Sequence, residues 1–127
     1  MKNFNIVFII IFFISCNTQI TVNETFAEFD RRFHSDSLFQ MSRIKFPLKG
    51  KLVDGFDKKD WSAKNWSMIK SLVTVNTKGK DYKKQTHFSD ALVTEKIWIE
   101  NSGFSFERHF KKVNGEWFLV YCEDRNL

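Results

Sequence analysis

Residues that staple or interrupt a chain are scarce here: two cysteines, one proline and five glycines in 127 positions. Two cysteines exclude a disulfide-built scaffold, and one proline with few glycines excludes a proline-rich linker or low-complexity tail. No apolar run reaches the ~20 residues that span a bilayer. The longest, Ile6 to Ile14, has nine. His34, His87 and His109 show no metal-ligand spacing with Asp, Glu or Cys, so no metal site is expected. No Ser-His-Asp motif, phosphate-binding loop or dinucleotide fingerprint is present, so no catalytic residue and no cofactor is assigned. The lysines are spread in pairs, from Lys49/Lys51 to Lys111/Lys112, without an arginine-rich helix or an aromatic-interleaved basic stripe. Nucleic acid is therefore not an expected partner.

What is present is apolar and aromatic: 43% and 17% of residues. That suffices for the core of one domain. The N-terminus stands apart. Met1-Lys2-Asn3 gives a short basic start to the nine-residue run, the pattern of a signal-peptide core. Phe13-Ile14-Ser15-Cys16 resembles the bacterial lipobox, with Phe13 where leucine is the commoner residue. The resemblance implies cleavage before Cys16 and acylation of that cysteine; the alternative is an ordinary secretory signal with a chance cysteine. Residues 1–15 are read as the lipoprotein signal peptide, 16–22 as the acylated cysteine and tether, and 23–127 as a single domain. Loss of residues 1–15 removes only Lys2 and lowers the net charge from +5 to +4. The expected location is the bacterial cell envelope, on its periplasmic or surface side. Membrane lipid is the partner at Cys16, and several acyl chains hold where one is marginal. Cys122 is then unpaired, and mid-strand it reads as a small buried hydrophobe.

From Asn23, a candidate cap, the pattern is helical: Phe26, Phe29 and Phe33 share a face. His34 falls at a joint, where a solvent-facing or capping role is expected. A second short helix runs from Asp36, its expected cap, to about Met41. Ser42 to Leu48 alternates as a strand, placed at a sheet edge because Pro47 cannot donate a ladder hydrogen bond. Lys49-Gly50 reads as a turn and Lys51 to Asp54 as a short partner strand. Asp57 to Asn65, with Asp60 as a cap, reads as a loop holding a short helix, between Trp61 and Trp66. Ser71 to Thr77 reads as a strand, Tyr82 to Phe88 as an exposed strand or irregular connection, and Glu95 onward as a strand. Asn101-Ser102-Gly103 then turns into a closing hairpin. The fold class is α+β: N-terminal helices on a curved, mostly antiparallel, cone-like sheet.

The block Phe26-x2-Phe29-x3-Phe33-x2-Asp36-x2-Phe39-Gln40-x-Ser42-Arg43-Ile44-x-Phe46-Pro47-Leu48, with Phe106-x7-Asn114-Gly115-x-Trp117-x-Leu119, resembles a family of bacterial lipoproteins with a domain of unknown function. That family is similar in fold to the nuclear-transport-factor-2-like cone. The resemblance implies a curved sheet wrapping an N-terminal helix, with a pocket between them, and implies no activity.

Asn114-Gly115 marks a two-residue hairpin turn. Counting back pairs Val113 with Glu116, Lys112 with Trp117, Phe110 with Leu119, Arg108 with Tyr121 and Phe106 with Glu123. Alternation then puts Phe106, Arg108, Trp117, Tyr121 and Glu123 on one aromatic face, and Cys122 with Glu107, His109 and Lys111 on the other. The last strand, apolar on both faces, should be central. Arg108 beside Tyr121 and Glu123 is either a salt-bridged cluster at the sheet rim or the polar end of an aromatic pocket. A register slip of one residue would separate these groups. Arg43 is expected to pair with a carboxylate near the sheet edge. The first functional reading is a binding module for a small, partly apolar ligand, with Arg108, Tyr121, Glu123, Phe106, Trp117 and Arg43 around it. The second is an envelope interaction module docking a protein partner through the outer face or the Trp61–Trp66 loop. The third is a cone-fold enzyme.

Overall fold

The computed structural model describes residues 22–75 and 81–127. Residues 1–15, Cys16 and most of the tether lie outside them. Two helices, α1 (Phe26–Phe33) and α2 (Ser37–Ser42), precede six strands: β1 (Ile44–Asp54), β2 (Asp57–Trp61), β3 (Tyr82–Phe88), β4 (Leu92–Ile99), β5 (Ser105–Val113) and β6 (Glu116–Asn126). Among the described residues they form one sheet in the order β2-β1-β6-β5-β4-β3. Every neighbouring pair is antiparallel except β1 with β6. The fold is an α+β cone, and the last strand is central, as its apolar faces predict.

The helices start at short polar caps. Asp36 caps α2, its Oδ1 accepting from the Phe39 N–H at 3.0 Å. α1 starts at Thr25, not Asn23: Thr25 and Glu28 form a reciprocal capping box, satisfying amide groups that the first turn leaves free. Hydrogen bonds from Thr25 hold the Glu28 carboxyl below its usual range. Asn23 instead accepts from Lys112 Nζ at 2.7 Å. Phe29 and Phe33 are fully buried, and the core continues through Phe39, Ile44, Leu48, Val93, Phe110, Trp117 and Leu119. Phe26, Phe29 and Phe33 each meet the Phe110 ring with centroids 5.5–5.6 Å apart. These edge-on contacts suit the quadrupoles of aromatic rings.

Four strand expectations are corrected. Lys49-Gly50 is not a turn; β1 runs through it, with Gly50 at φ +95 in a register shift. Pro47 lies within the gap between the Ile44–Leu119 and Lys49–Tyr121 pairs, so β1 tolerates it without being an edge strand. Asp57–Trp61 is the edge strand β2, not a helix-bearing loop, and Asp60 pairs with Lys51. Ser71 to Val75 is irregular rather than a strand, and Thr77 lies outside the described residues.

The closing hairpin keeps its turn, with Asn114 at φ +49 and Gly115 at φ +82. Its expected register holds from Val113–Glu116 to Phe110–Leu119 and then shifts by one residue between His109 and Phe110. Val120 is the extra residue of a β-bulge. Beyond it His109 faces Tyr121, Arg108 faces Cys122, and Phe106 faces Asp124. The expected pairs Arg108–Tyr121 and Phe106–Glu123 are therefore wrong. Arg108, Cys122 and Asp124 share the concave face, whereas Tyr121 and Glu123 look outward with His109 and Glu107.

Candidate functional site

The six residues grouped by the sequence reading do not gather at one site, though some of them touch in pairs. Phe106 packs at the margin of the core, and Trp117 lies within it, with Nε1 donating to Glu24 O at 3.2 Å. Arg43 clamps the N-terminal segment to the hairpin, reaching Glu24 Oε2 and Glu116 Oε1, each at 2.9 Å. It also donates to Trp117 O at 3.1 Å. Tyr121 stacks on His109 with centroids 4.6 Å apart. Its hydroxyl donates to Glu123 Oε2 at 3.2 Å. Burial, and then the Glu123 charge, push its pKa up. Glu123 also pairs with Arg125.

Arg108 is wholly buried at the centre of a chain of polar groups. Its Nε donates to Glu95 Oε2, its Nη2 to Ser71 O at 2.7 Å, and its Nη1 lies 2.7 Å from His34 Nε2. Because a guanidinium only donates, His34 Nε2 accepts, and its Nδ1–H turns to Asp30, 2.6 Å from the backbone O and 3.1 Å from Oδ1. His34 is therefore a buried link and not a solvent-facing joint. Asp30 Oδ1 accepts from the Val73 N–H at 3.0 Å, and its Oδ2 from the Thr74 N–H at 3.1 Å and hydroxyl at 2.9 Å. Burial alone would raise the Asp30 pKa; the bonds from His34, Val73 and Thr74 outweigh it and hold the carboxyl below its ordinary value. At the far end Lys84 Nζ sits 2.8 Å from Glu95 Oε1, an ion pair not aligned as a hydrogen bond. It also donates to Val73 O and Val75 O.

Two cations and two carboxylates thus neutralise one another below the surface, as buried charges must. Their spare bonds grip the backbone of Ser71 to Val75, a segment without a strand ladder. Gln40 does the same for Ile69, accepting from its N–H at 3.0 Å and donating to its carbonyl at 2.8 Å. The helix spacing carried a signal: Asp30 and His34, four apart, rise on the face that holds Phe26 and Phe33. This cluster acts as a clamp on that segment. Its members are paired within the chain, Glu95 Oε1 by the Lys84 ion pair alone.

An open cavity lies elsewhere, at the end of the concave face remote from the helices. It measures about 400 Å³ and is lined by Leu52, Val53, Asp54, Asp57, Lys59, Phe104, Asp124 and Asn126. Register explains the gathering: Leu52 pairs with Asp124 and with Lys59, Asp54 pairs with Asp57 and with Asn126, and Asp124 pairs with Phe106. Paired residues share a face, and Leu52 and Phe106 fix that face as the core side. Asp124 is half-buried; burial first, and then the negative charge of Asp54, raise its pKa. The site combines a partly apolar wall with acidic groups, one of them short of a counter-charge. A larger groove of about 630 Å³, lined by Gln85, Lys96, Trp98, Ser105 and Arg125 among others, lies along the outer face.

Cys122 points into the core, where burial outweighs the nearby Arg108 and pushes its thiol up to about 12. Burial and the raised pKa both disfavour the thiolate that a nucleophile needs. No group of His, Cys, Asp or Glu among the described residues is placed to hold a metal ion. No helix among them is long and apolar enough to cross a membrane. Trp61 is buried and donates to Cys122 O at 2.6 Å. Trp66 meets its ring at 5.2 Å, so this pair builds the core and does not form the projecting loop that docking would need.

The chain belongs to the uncharacterised family whose model matches residues 24–126. A search of curated proteins finds no match. Among solved structures, a protein from Bacteroides uniformis ATCC 8492 is 27% identical, with a TM-score of 0.61 over 79% of this chain and 76% of that one. A nuclear-transport-factor-2-like protein from Bacteroides fragilis NCTC 9343 is 24% identical, with a TM-score of 0.57 over 83% of this chain. The chain spans about half of that protein, 48% of its length. The fold is thus that of the nuclear-transport-factor-2-like cone.

Proposed function

We propose that this protein is a membrane-anchored binding module, held by acyl chains on Cys16, whose ligand site is the open end of the concave face. The observation that carries this reading is the cavity between Leu52, Phe104 and Asp124. Its volume of about 400 Å³ falls within the roughly 300–1,000 Å³ typical of small-molecule sites. Three aspartates against one lysine favour a ligand with a protonated amine, and Leu52 with Phe104 favour an apolar body beside it. Arg108, grouped around the ligand in the sequence reading, spends its charge inside the clamp instead. Bringing an amine to Asp124 would relieve the repulsion from Asp54.

Phenethylamine and phenylacetate, alike in shape and opposite in charge, test the assignment by amide chemical-shift titration of the mature chain carrying Cys16→Ser. The amine should shift residues around Leu52, Phe104 and Asp124, and Asp124→Asn should weaken it about tenfold, the effect of losing one charge-assisted contact. Equal binding of the acid, or shifts confined to the outer face, would reject the site.

A further inference from the structure

We propose that the end of the cone carrying the Asn114–Gly115 turn lies against the membrane surface, so that the concave cavity opens away from the bilayer. This rests on the anchoring of Cys16 proposed above. Where the tether meets the fold is fixed by the structure. The Glu24 N–H donates to Gly115 O at 2.9 Å, and Lys112 Nζ donates to Asn23 Oδ1 at 2.7 Å. A Cβ on Gly115 would stand 1.6 Å from Val22 O, so the two segments touch closely enough to require glycine. From Cys16 to Val22 the chain can extend at most ~3.3–3.6 Å per residue, about 20 Å in all. An acylated Cys16 therefore keeps this end near the lipid whatever path the tether takes.

The same end exposes apolar side chains: Val22 is 51% exposed, Phe88 59%, Leu92 43% and Val113 39%. They form one rim. Phe88 rests on Phe26 with ring centroids 5.8 Å apart. Leu92 pairs with Lys111, and the Lys112 N–H donates to Ala91 O at 2.8 Å, joining the β3–β4 turn to the end of β5. The acidic groups here are largely spoken for, since Glu24 and Glu116 are both tied to Arg43. Apolar contact therefore does the seating, with Lys111 able to extend its ammonium group toward headgroups. The cavity and the Gly55-Phe56 turn lie at the other end of β6, about 30 Å away at ~3.3 Å per residue.

The full acylated protein, reconstituted in phosphatidylcholine vesicles, provides the test. A polarity-sensitive fluorophore is placed through Val113→Cys, Leu92→Cys or, at the far end, Phe56→Cys. Acylated Cys16 and buried Cys122 stay unlabelled. Probes at 113 and 92 should shift to the blue and be quenched by nitroxide-bearing lipid at least threefold more than the probe at 56. Equal quenching at both ends, stronger quenching at 56, or water-like emission from all three would overturn the orientation. Mass spectrometry of Cys16 and flotation of the Cys16→Ser protein are read separately. A chain without acyl groups, or a Cys16→Ser protein that floats equally well, would overturn the anchoring and the orientation with it.

Discussion

Replacing Arg108 with methionine asks whether the buried clamp is structural. Methionine fills much of the space but donates nothing. Glu95 would keep only Lys84, His34 Nε2 would lose its donor, and Ser71 O would lose its partner inside the fold. Removing one member of a buried, hydrogen-bonded ion pair costs about 3–5 kcal/mol, a large share of the ~5–15 kcal/mol that a domain has in total. The assay is urea unfolding of the mature chain carrying Cys16→Ser at pH 7, followed by tryptophan fluorescence. With a dependence of about 1–3 kcal/mol per molar urea, the midpoint should fall by roughly 1–5 M. Adding Glu95→Leu should recover part of that loss, because the uncompensated carboxylate is gone, giving a coupling of about 0.5–3 kcal/mol. A fall below about 0.5 M, or strict additivity of the two substitutions, would refute the clamp and reopen Arg108 as a ligand group.

Asp124→Asn should raise thermal stability at neutral pH. The folded-state pKa of Asp124 lies above its unfolded value, so ionisation costs more in the fold, and stability falls as pH rises from the ordinary carboxyl range through the folded value. The advantage of asparagine should vanish below that range, and a variant less stable at pH 7 would contradict the assignment. Cys122, with its thiol pushed up to about 12, should not react with Ellman's reagent at pH 8 until the chain is unfolded in urea; fast native labelling would place it at the surface. Gly50→Ala should destabilise by at least about 2 kcal/mol, because its Cβ would stand 2.0 Å from Cys122 O. Gly55→Ala, with open space around it, should lose clearly less in a parallel melting experiment.

Strong local signals were legible in the sequence. Phe26, Phe29 and Phe33 repeat at helical spacing and do line the core. Asn114-Gly115 turns where its positive φ preference puts it, and a last strand apolar on both faces sits at the centre of the sheet. Other features depend on partners distant in the chain. The bulge at Val120 leaves no mark in composition, yet it reverses which side chains follow it, and so it divided Arg108 from Tyr121 and delivered Asp124 to the concave face. β2 is an edge strand exposed on both sides, so Asp57-Lys58-Lys59-Asp60 shows no alternation to read. Ser71 to Val75 has strand-forming residues but spends its backbone bonds on Asp30, Arg108 and Lys84. Asn23 and Thr25 are both good caps; the choice went to Thr25 because Glu28 stands three residues on.

The central place of β6 bears on when the domain can form. β6 is the strand that joins β1 to β5, and β1 pairs with it across roughly seventy intervening residues. A nascent chain lacking Glu116 to Asn126 has two halves of a sheet with nothing between them, and Trp117 and Leu119 are missing from its core. Closing so long a loop is also among the slower steps a small domain faces. Folding therefore waits for β6. Until that strand is available the domain stays loose, the condition in which a polypeptide can be threaded through a narrow channel before it becomes compact.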